Sequence, residues 1–207
     1  MNIAEANMIA NEPKKLEIKE NSTIVCFGDS ITYGHGADSI ETSFPMILQE
    51  RINIPVINSG VNSDTTADGL KRIERDVLEY NPVIVLVYFG GNDLYYLKKR
   101  LSMNKIEKNF KEMIRILDNG DRGIYLIRFF NNQMRFWDFF FRFDRMLGRI
   151  QKEYPNIRII KNIWEGVWGK REYKYDYTHP NSKGYKIIAN NIYNEIKDVL
   201  EYNNLVK

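Results

Sequence analysis

The chain has little cysteine and no long apolar run. Cys26 is the single cysteine among 207 residues, which excludes a fold held together by internal disulfides. It lies in a short apolar run and is expected to be a small buried hydrophobe. No stretch approaches the length of a transmembrane helix, and residues 1–20 contain no apolar core long enough for a signal peptide. We therefore expect a cytoplasmic protein without stable membrane insertion.

An excess of charge of one sign is also missing. The 30 Lys and Arg side chains nearly balance the 27 Asp and Glu side chains, which leaves a formal net charge of +3. The two signs are interleaved and no basic stripe is present, so no nucleic-acid partner is expected. A chain of 207 residues buries a sizeable core. Residues 21–207 are predicted to form a single domain after an N-terminal arm over residues 1–20.

Short apolar runs alternate with amphipathic segments along the chain. The run at 83–89 is apolar throughout, as expected of a parallel strand that is covered on both faces. Helical spacing appears between the runs, for example from Ile188 to Val199. Strand and helix alternate five times, which predicts an α/β three-layer sandwich with a parallel sheet. The predicted strands are Thr23–Phe27, Val56–Asn58, Val83–Phe89, Ile124–Phe130 and Ile157–Ile160.

Three predicted strands are each followed by small polar residues, at 28–30, 58–65 and 90–93. Ligand sites in such sheets form beyond the carboxyl ends of the strands, so these segments are expected at one edge. Each segment also has an ordinary interpretation as a turn or a helix cap, at Asp29 or Ser30 in the first of them. Residues elsewhere in the sequence are therefore needed to distinguish a ligand site from ordinary turns and helix caps.

A histidine near the other end of the chain favours a catalytic interpretation. Pro180 biases His179 away from helical geometry and is expected to open the following helix. Asp176 lies three residues before His179, where its carboxylate can accept the Nδ1–H and leave Nε2 facing Ser30. These residue types are a nucleophile, a base and an orienting carboxylate. His35 is the only other candidate base, and no carboxylate is spaced so conveniently from it.

The sequence resembles the SGNH or GDSL-type serine hydrolases, above all the bacterial thioesterase I, arylesterase and lysophospholipase subgroup. Four blocks match in order between Gly28 and Tyr185, namely GDSITYG, NSGVNSDTT, GGND and DYTHPNSKGY. The resemblance implies a flavodoxin-like sandwich with five parallel strands and no metal or organic cofactor. It also implies Ser30 as nucleophile, His179 as general base and then acid, and Asp176 as the residue that orients His179.

The resemblance further implies three oxyanion donors, the Ser30 backbone N–H, the Asn92 side chain and a backbone N–H of the second block. The family usually has glycine at this last position, where the present sequence has Ser63; Gly60 matches the earlier family glycine. A backbone N–H survives this replacement where the backbone angles suit a Cβ, so we predict the Ser63 N–H as third donor. If Ser63 instead crowds the acyl oxygen, activity is low and Ser63→Gly raises it.

Residues 128–143 are unusually aromatic and continue from the fourth predicted strand. Helical spacing places a face that includes Phe140 and Phe143 in the core, and the aromatics off that face are candidates for an acyl pocket, a lid or a homodimer contact. Trp164 and Trp168 precede Asp176 and are interpreted as anchors of that loop rather than walls of the site. The candidate substrate-binding residues are Asp29, Gly60, Trp137, Phe139 and Phe141.

The sequence predicts a serine ester hydrolase that cleaves carboxylic or thio-esters of small or lipid-like molecules through an acyl-enzyme on Ser30. Its expected partner is a small-molecule ester, since the triad fixes the reaction but not the acyl group. The alternatives are a carbohydrate O-acetylesterase and a non-catalytic binding or scaffold protein on the same fold, which Ser63 would favour.

Overall fold

The computed structural model describes residues 14–95, 100–130 and 138–207. Its centre is a parallel sheet of five strands, which confirms the predicted fold class. The fourth strand ends at Ile127 rather than Phe130, because only residues 125–127 pair with the last strand. The strands are β1 Thr23–Gly28, β2 Val56–Gly60, β3 Pro82–Tyr88, β4 Gly123–Ile127 and β5 Arg158–Ile160. Their order across the sheet is β2-β1-β3-β4-β5.

Helices cover both faces of the sheet. The described α-helices are α1 Ser30–Tyr33, α2 Phe44–Gln49, α3 Thr66–Asp76, α4 Gly91–Tyr95, α5 Met103–Leu117, α6 Asp138–Glu153 and α7 Ser182–Tyr202. Among them α2 packs against α7, whereas α5 packs between α3 and α6. The last helix begins at Ser182 and is capped by Asn181, whose side chain accepts the Gly184 N–H. The prediction that Pro180 opens this helix is therefore wrong, because an Asn side chain satisfies the helix terminus one residue later.

The core lies on the two central strands. Every residue of β1 and β3 is buried, as their continuous apolar sequences require. Cys26 is fully buried in β1, as predicted, and burial raises the pKa of its thiol. The Arg122 side chain closes the opposite, amino-terminal end of the sheet by donating to the Pro82 carbonyl.

The described part of the predicted N-terminal arm is held against the domain. Leu16 is buried, and its backbone N–H donates to Asn203 Oδ1 at 2.8 Å. Lys14 donates from Nζ to the Arg122 carbonyl at 2.9 Å. Burial of one apolar side chain and these hydrogen bonds attach residues 14–20 to the ends of α7 and β4. Within the described residues, no helix combines the length and the apolarity that crossing a bilayer requires.

The strand order places a topological switch between β1 and β3. The chain leaves β1 to form β2 on one side and then crosses to form β3 on the other side. Crevices form outside the carboxyl ends of strands at such a point. The segments after β1, β2 and β3 therefore border one crevice, which is the edge where the sequence predicts the site.

Candidate active site

Ser30 is the first residue of α1, immediately after β1. The preceding Asp29 is the helix N-cap, and its Oδ1 accepts the Ile31 N–H at 3.0 Å. The helix-cap interpretation of the sequence thus applies to Asp29, and it leaves the Ser30 hydroxyl to face another partner. A sharp strand-to-helix turn presents that hydroxyl at the sheet edge.

Ser30, His179 and Asp176 form a continuous chain of hydrogen bonds. Ser30 Oγ lies 3.0 Å from His179 Nε2, and His179 Nδ1 lies 2.8 Å from Asp176 Oδ2. Asp176 Oδ1 accepts the backbone N–H groups of Thr178 and His179, each at 2.7 Å. Desolvation alone would raise the Asp176 pKa, but the hydrogen bonds from His179 and Thr178 outweigh it and lower that pKa to about 2. The carboxylate is therefore ionised at neutral pH and fixes the orientation of the imidazole.

The loop that carries Asp176 and His179 is anchored by Lys174. Its Nζ donates to the Thr178 carbonyl at 3.0 Å. The same ammonium lies 4.7 Å from the ring centre of Trp164 and 5.1 Å from that of Trp168. Burial between these rings lowers the Lys174 pKa to about 8. The two tryptophans anchor the loop as expected, and the ammonium between them is a feature that the sequence reasoning missed.

Ser63 adopts the left-handed conformation, with φ of 64°. Glycine reaches this region freely, whereas an L-residue pays a steric cost there because of its Cβ. Ser63 thus keeps the backbone path that a glycine would take and retains the N–H. It borders the same cavity as Ser30 and Asn92. Asn92 Nδ2 donates one hydrogen to the Asp64 carbonyl at 2.9 Å, which leaves its second amide hydrogen as a donor.

A buried arginine holds the Ser63 segment in place. Arg72 on α3 is 8% exposed, and its Nε donates to Asp64 Oδ2 at 2.6 Å. The rest of the guanidinium donates to the carbonyls of Gly28 at 2.9 Å and Ser59 at 3.0 Å, at the ends of β1 and β2. Such a fork joins three backbone segments beside the site. Sequence reasoning missed Arg72, although its place beside Ile73 on the apolar face of a helix is a usable signal.

Asp93 connects the second and third sequence blocks. It is fully buried, and its carboxylate accepts the Thr66 backbone N–H at 3.0 and 3.1 Å as well as the Thr66 hydroxyl. Asn109 on α5 donates to that hydroxyl at 2.8 Å. Burial raises the Asp93 pKa. The aspartate of the GGND block therefore fixes the start of α3 against α4, and it does not point at Ser30.

A cavity of about 580 Å³ opens from Ser30 and His179. This volume is within the range of small-molecule sites. Asp29, one of the candidate substrate-binding residues, contributes to its wall. Trp164 and Trp168 also line it, so they are walls as well as anchors. The remaining aromatic wall consists of Tyr88, Tyr95, Phe129, Phe130, Phe140 and Tyr177.

The structure distributes the other candidate substrate-binding residues differently. Phe139 packs behind the wall, with its ring 4.6 Å from that of Phe140 and 5.5 Å from that of Tyr95. Phe141 is 43% exposed on the other side of α6, where Arg145 lies over its ring. Neither these two nor Gly60 is among the described residues of the cavity wall, and Trp137 lies outside the described residues. Phe140, expected in the core, is both buried and part of the wall.

Comparison with known proteins agrees with this geometry. The sequence model of the GDSL-like Lipase/Acylhydrolase family matches residues 26–187, which include all three members of the hydrogen-bonded chain. The chain belongs to the GDSL-like lipase/acylhydrolase family. It is accordingly a carboxylic ester hydrolase, as predicted.

Proteins similar to this GDSL-like hydrolase match it over most of their length. An arylesterase of Vibrio mimicus is 24% identical over 182 residues, 84% of this chain and 87% of the relative. The thioesterase 1/protease 1/lysophospholipase L1 of Escherichia coli strain K12 is 24% identical over 172 residues, 81% and 79% of the two chains. The crystal structure of the esterase EstA from Pseudoalteromonas superposes with a TM-score of 0.74 at 22% identity, covering 86% of this chain and 98% of EstA.

Proposed function

We propose that the protein hydrolyses esters of apolar carboxylic acids through an acyl-enzyme on Ser30. The observation that supports this most directly is the hydrogen-bonded chain from Ser30 to His179 to Asp176, at 3.0 and 2.8 Å. Both distances are within the reach that a nucleophile and its base require. The aromatic wall of the adjoining cavity supports an apolar acyl group.

In the proposed mechanism, Ser30 Oγ attacks the acyl carbonyl carbon while His179 Nε2 takes the hydroxyl proton. The backbone N–H groups of Ser30 and Ser63 and the Asn92 side chain stabilise the oxyanion. His179 then gives its proton to the leaving oxygen or sulfur as the bond to the acyl carbon breaks. Water attacks the acyl-enzyme, His179 takes its proton, and the same proton returns to Ser30 when the carboxylic acid leaves. The ionised Asp176 stabilises the imidazolium in both halves of the cycle.

Covalent labelling tests the assigned nucleophile. A fluorophosphonate is expected to form one adduct per chain on Ser30 of the wild-type protein, located by peptide mass spectrometry. Ser30→Ala is expected to remain unlabelled and to lose ester hydrolysis, while its circular dichroism spectrum is unchanged. Hydrolysis at the wild-type rate by pure Ser30→Ala would refute the assignment.

Substrates of graded acyl length test the proposed pocket. Tyr95 and Phe141 are both exposed aromatics, 59% and 43%, but only Tyr95 borders the cavity. Tyr95→Ala is therefore expected to shift the dependence of kcat/KM on acyl length, whereas Phe141→Ala is a matched control that leaves this dependence unchanged. An acyl-length profile that responds equally to both changes would show that the cavity does not bind the acyl chain. Matched oxygen esters and thioesters in the same panel show whether the enzyme prefers an alcohol or a thiol leaving group.

A further inference from the structure

The only two histidines of the chain meet at the active site. His35 and His179 are 144 positions apart in the sequence, yet their ring centres lie 4.5 Å from one another. The proposed reaction uses His179 alone, so the second imidazole has no role in it. Asp176 completes the group, because one ligand atom from each of the three residues lies within 4.8 Å of the other two.

The backbone around His35 is fixed on several sides. Its N–H donates to the Ser30 carbonyl at 2.9 Å, and its own carbonyl accepts the buried Tyr185 hydroxyl at 2.8 Å. Gly36 has a φ of 87°, and a Cβ there would lie 2.6 Å from both the Pro180 carbonyl oxygen and Tyr175 Cβ. Glycine at position 36 therefore lets the His35 loop press directly against the loop of His179. The two imidazoles are held together by the fold rather than by chance contact of long side chains.

We infer that His35, His179 and Asp176 form a binding site for a late first-row divalent metal ion such as Zn²⁺, and that the bound ion inhibits the hydrolase. Two imidazoles and one carboxylate are a donor set that holds zinc in proteins, with water in the fourth position. Tetrahedral bonds of about 2.0–2.1 Å place ligand atoms about 3.4 Å apart, so modest side-chain rotations bring the three atoms into range.

Inhibition follows from the electron pairs that the ion needs. If the ion takes the lone pair of His179 Nε2, that nitrogen no longer accepts the Ser30 proton. If the ion instead takes the lone pair of Nδ1, the ring proton is carried on Nε2, so Nε2 again has no lone pair for the Ser30 proton, and the hydrogen bond from Nδ1 to Asp176 is lost. Either arrangement stops proton transfer from Ser30. This inhibitory part rests on the proposed function, whereas metal binding itself does not.

Metal binding is tested on untagged full-length protein without reference to activity. Calorimetric titration with Zn²⁺ and the visible absorption of Co²⁺ are expected to show one ion per chain in the wild type and in Ser30→Ala. His35→Asn is expected to lose roughly 100-fold or more in affinity, beyond the 10- to 100-fold typical of outer-shell changes. Asp176→Asn should weaken binding as well. Glu172→Gln removes an exposed carboxylate of the same loop and should bind as the wild type does.

The hydrolysis assay then tests inhibition. Zn²⁺ is expected to inhibit hydrolysis by the wild type, and a chelator is expected to restore it. His35→Asn is expected to have the same residual activity with and without Zn²⁺. No binding at millimolar Zn²⁺, or binding that is equally tight in His35→Asn, would overturn the site. A protein that hydrolyses no ester but still binds one Co²⁺ ion through His35 would refute the proposed function and leave the metal site standing.

Discussion

The left-handed backbone at Ser63 makes a quantitative prediction about stability. Its φ of 64° is a conformation that costs an L-residue about 1–2 kcal/mol. Ser63→Gly removes that cost, but glycine also gains freedom in the unfolded chain, which offsets about 0.4–1 kcal/mol. We therefore expect Ser63→Gly to raise the free energy of unfolding by about 0.5–1 kcal/mol. Urea denaturation monitored by circular dichroism measures this difference.

Ser63→Ala is the matched control. Alanine lacks the hydroxyl but keeps the Cβ, so it keeps the backbone strain that glycine relieves. The comparison of the glycine variant with the alanine variant therefore isolates the backbone contribution from any hydrogen bond of the serine hydroxyl. If Ser63→Gly is no more stable than Ser63→Ala, the strain argument is wrong.

The same pair of variants tests the Ser63 N–H as an oxyanion donor. Both variants retain that N–H. Neither is therefore expected to show the roughly 10²–10³-fold loss of kcat that typically accompanies removal of one oxyanion donor. A higher kcat in Ser63→Gly alone would show that the Cβ crowds the oxyanion. A loss of about 10²-fold or more in Ser63→Ala would show that the serine hydroxyl, and not the backbone N–H, supports the reaction.

The fold was predictable because a strand that is buried on both faces of the sheet has a continuous apolar sequence. The strand β3 is an unbroken apolar run, and the helices after it repeat apolar residues at helical spacing. Strand ends were less predictable. Arg128 and Phe130 follow β4 but are buried like strand residues, so composition alone extends the strand past Ile127.

The site was predictable where its chemistry is local. Asp176 and His179 are three residues apart, so their hydrogen bond follows from one short loop. The wall of the cavity was harder to predict, because helical periodicity reports burial and does not report what a buried side chain borders. Phe140 is 2% exposed and therefore has a core pattern, yet it faces the cavity. The approach of His35 to His179 is a purely tertiary contact, which no spacing in the sequence indicates.

Substitutions at three further positions probe the residues that support the site. Gly60→Ala places a Cβ 2.0 Å from the backbone nitrogen of Tyr33. The free energy of unfolding, measured by urea denaturation, should therefore fall by about 3 kcal/mol or more. Lys174→Met removes the hydrogen bond that holds the catalytic loop, so kcat should fall about tenfold with little change in KM, and Lys174→Arg should restore most of it. Asp29→Asn tests a buried acid whose pKa is raised by burial from an ordinary 3.8 to about 7. Because the unfolded chain loses this proton at lower pH than the folded chain does, wild-type stability should fall as pH rises from about 4 to about 7, by at most about 4 kcal/mol. Asparagine keeps the oxygen that caps α1 but carries no charge, so its stability relative to the wild type should grow across that interval and level off above it. Urea denaturation of both proteins at pH values across this interval measures the difference, and a constant difference would show that the Asp29 carboxyl is ionised throughout.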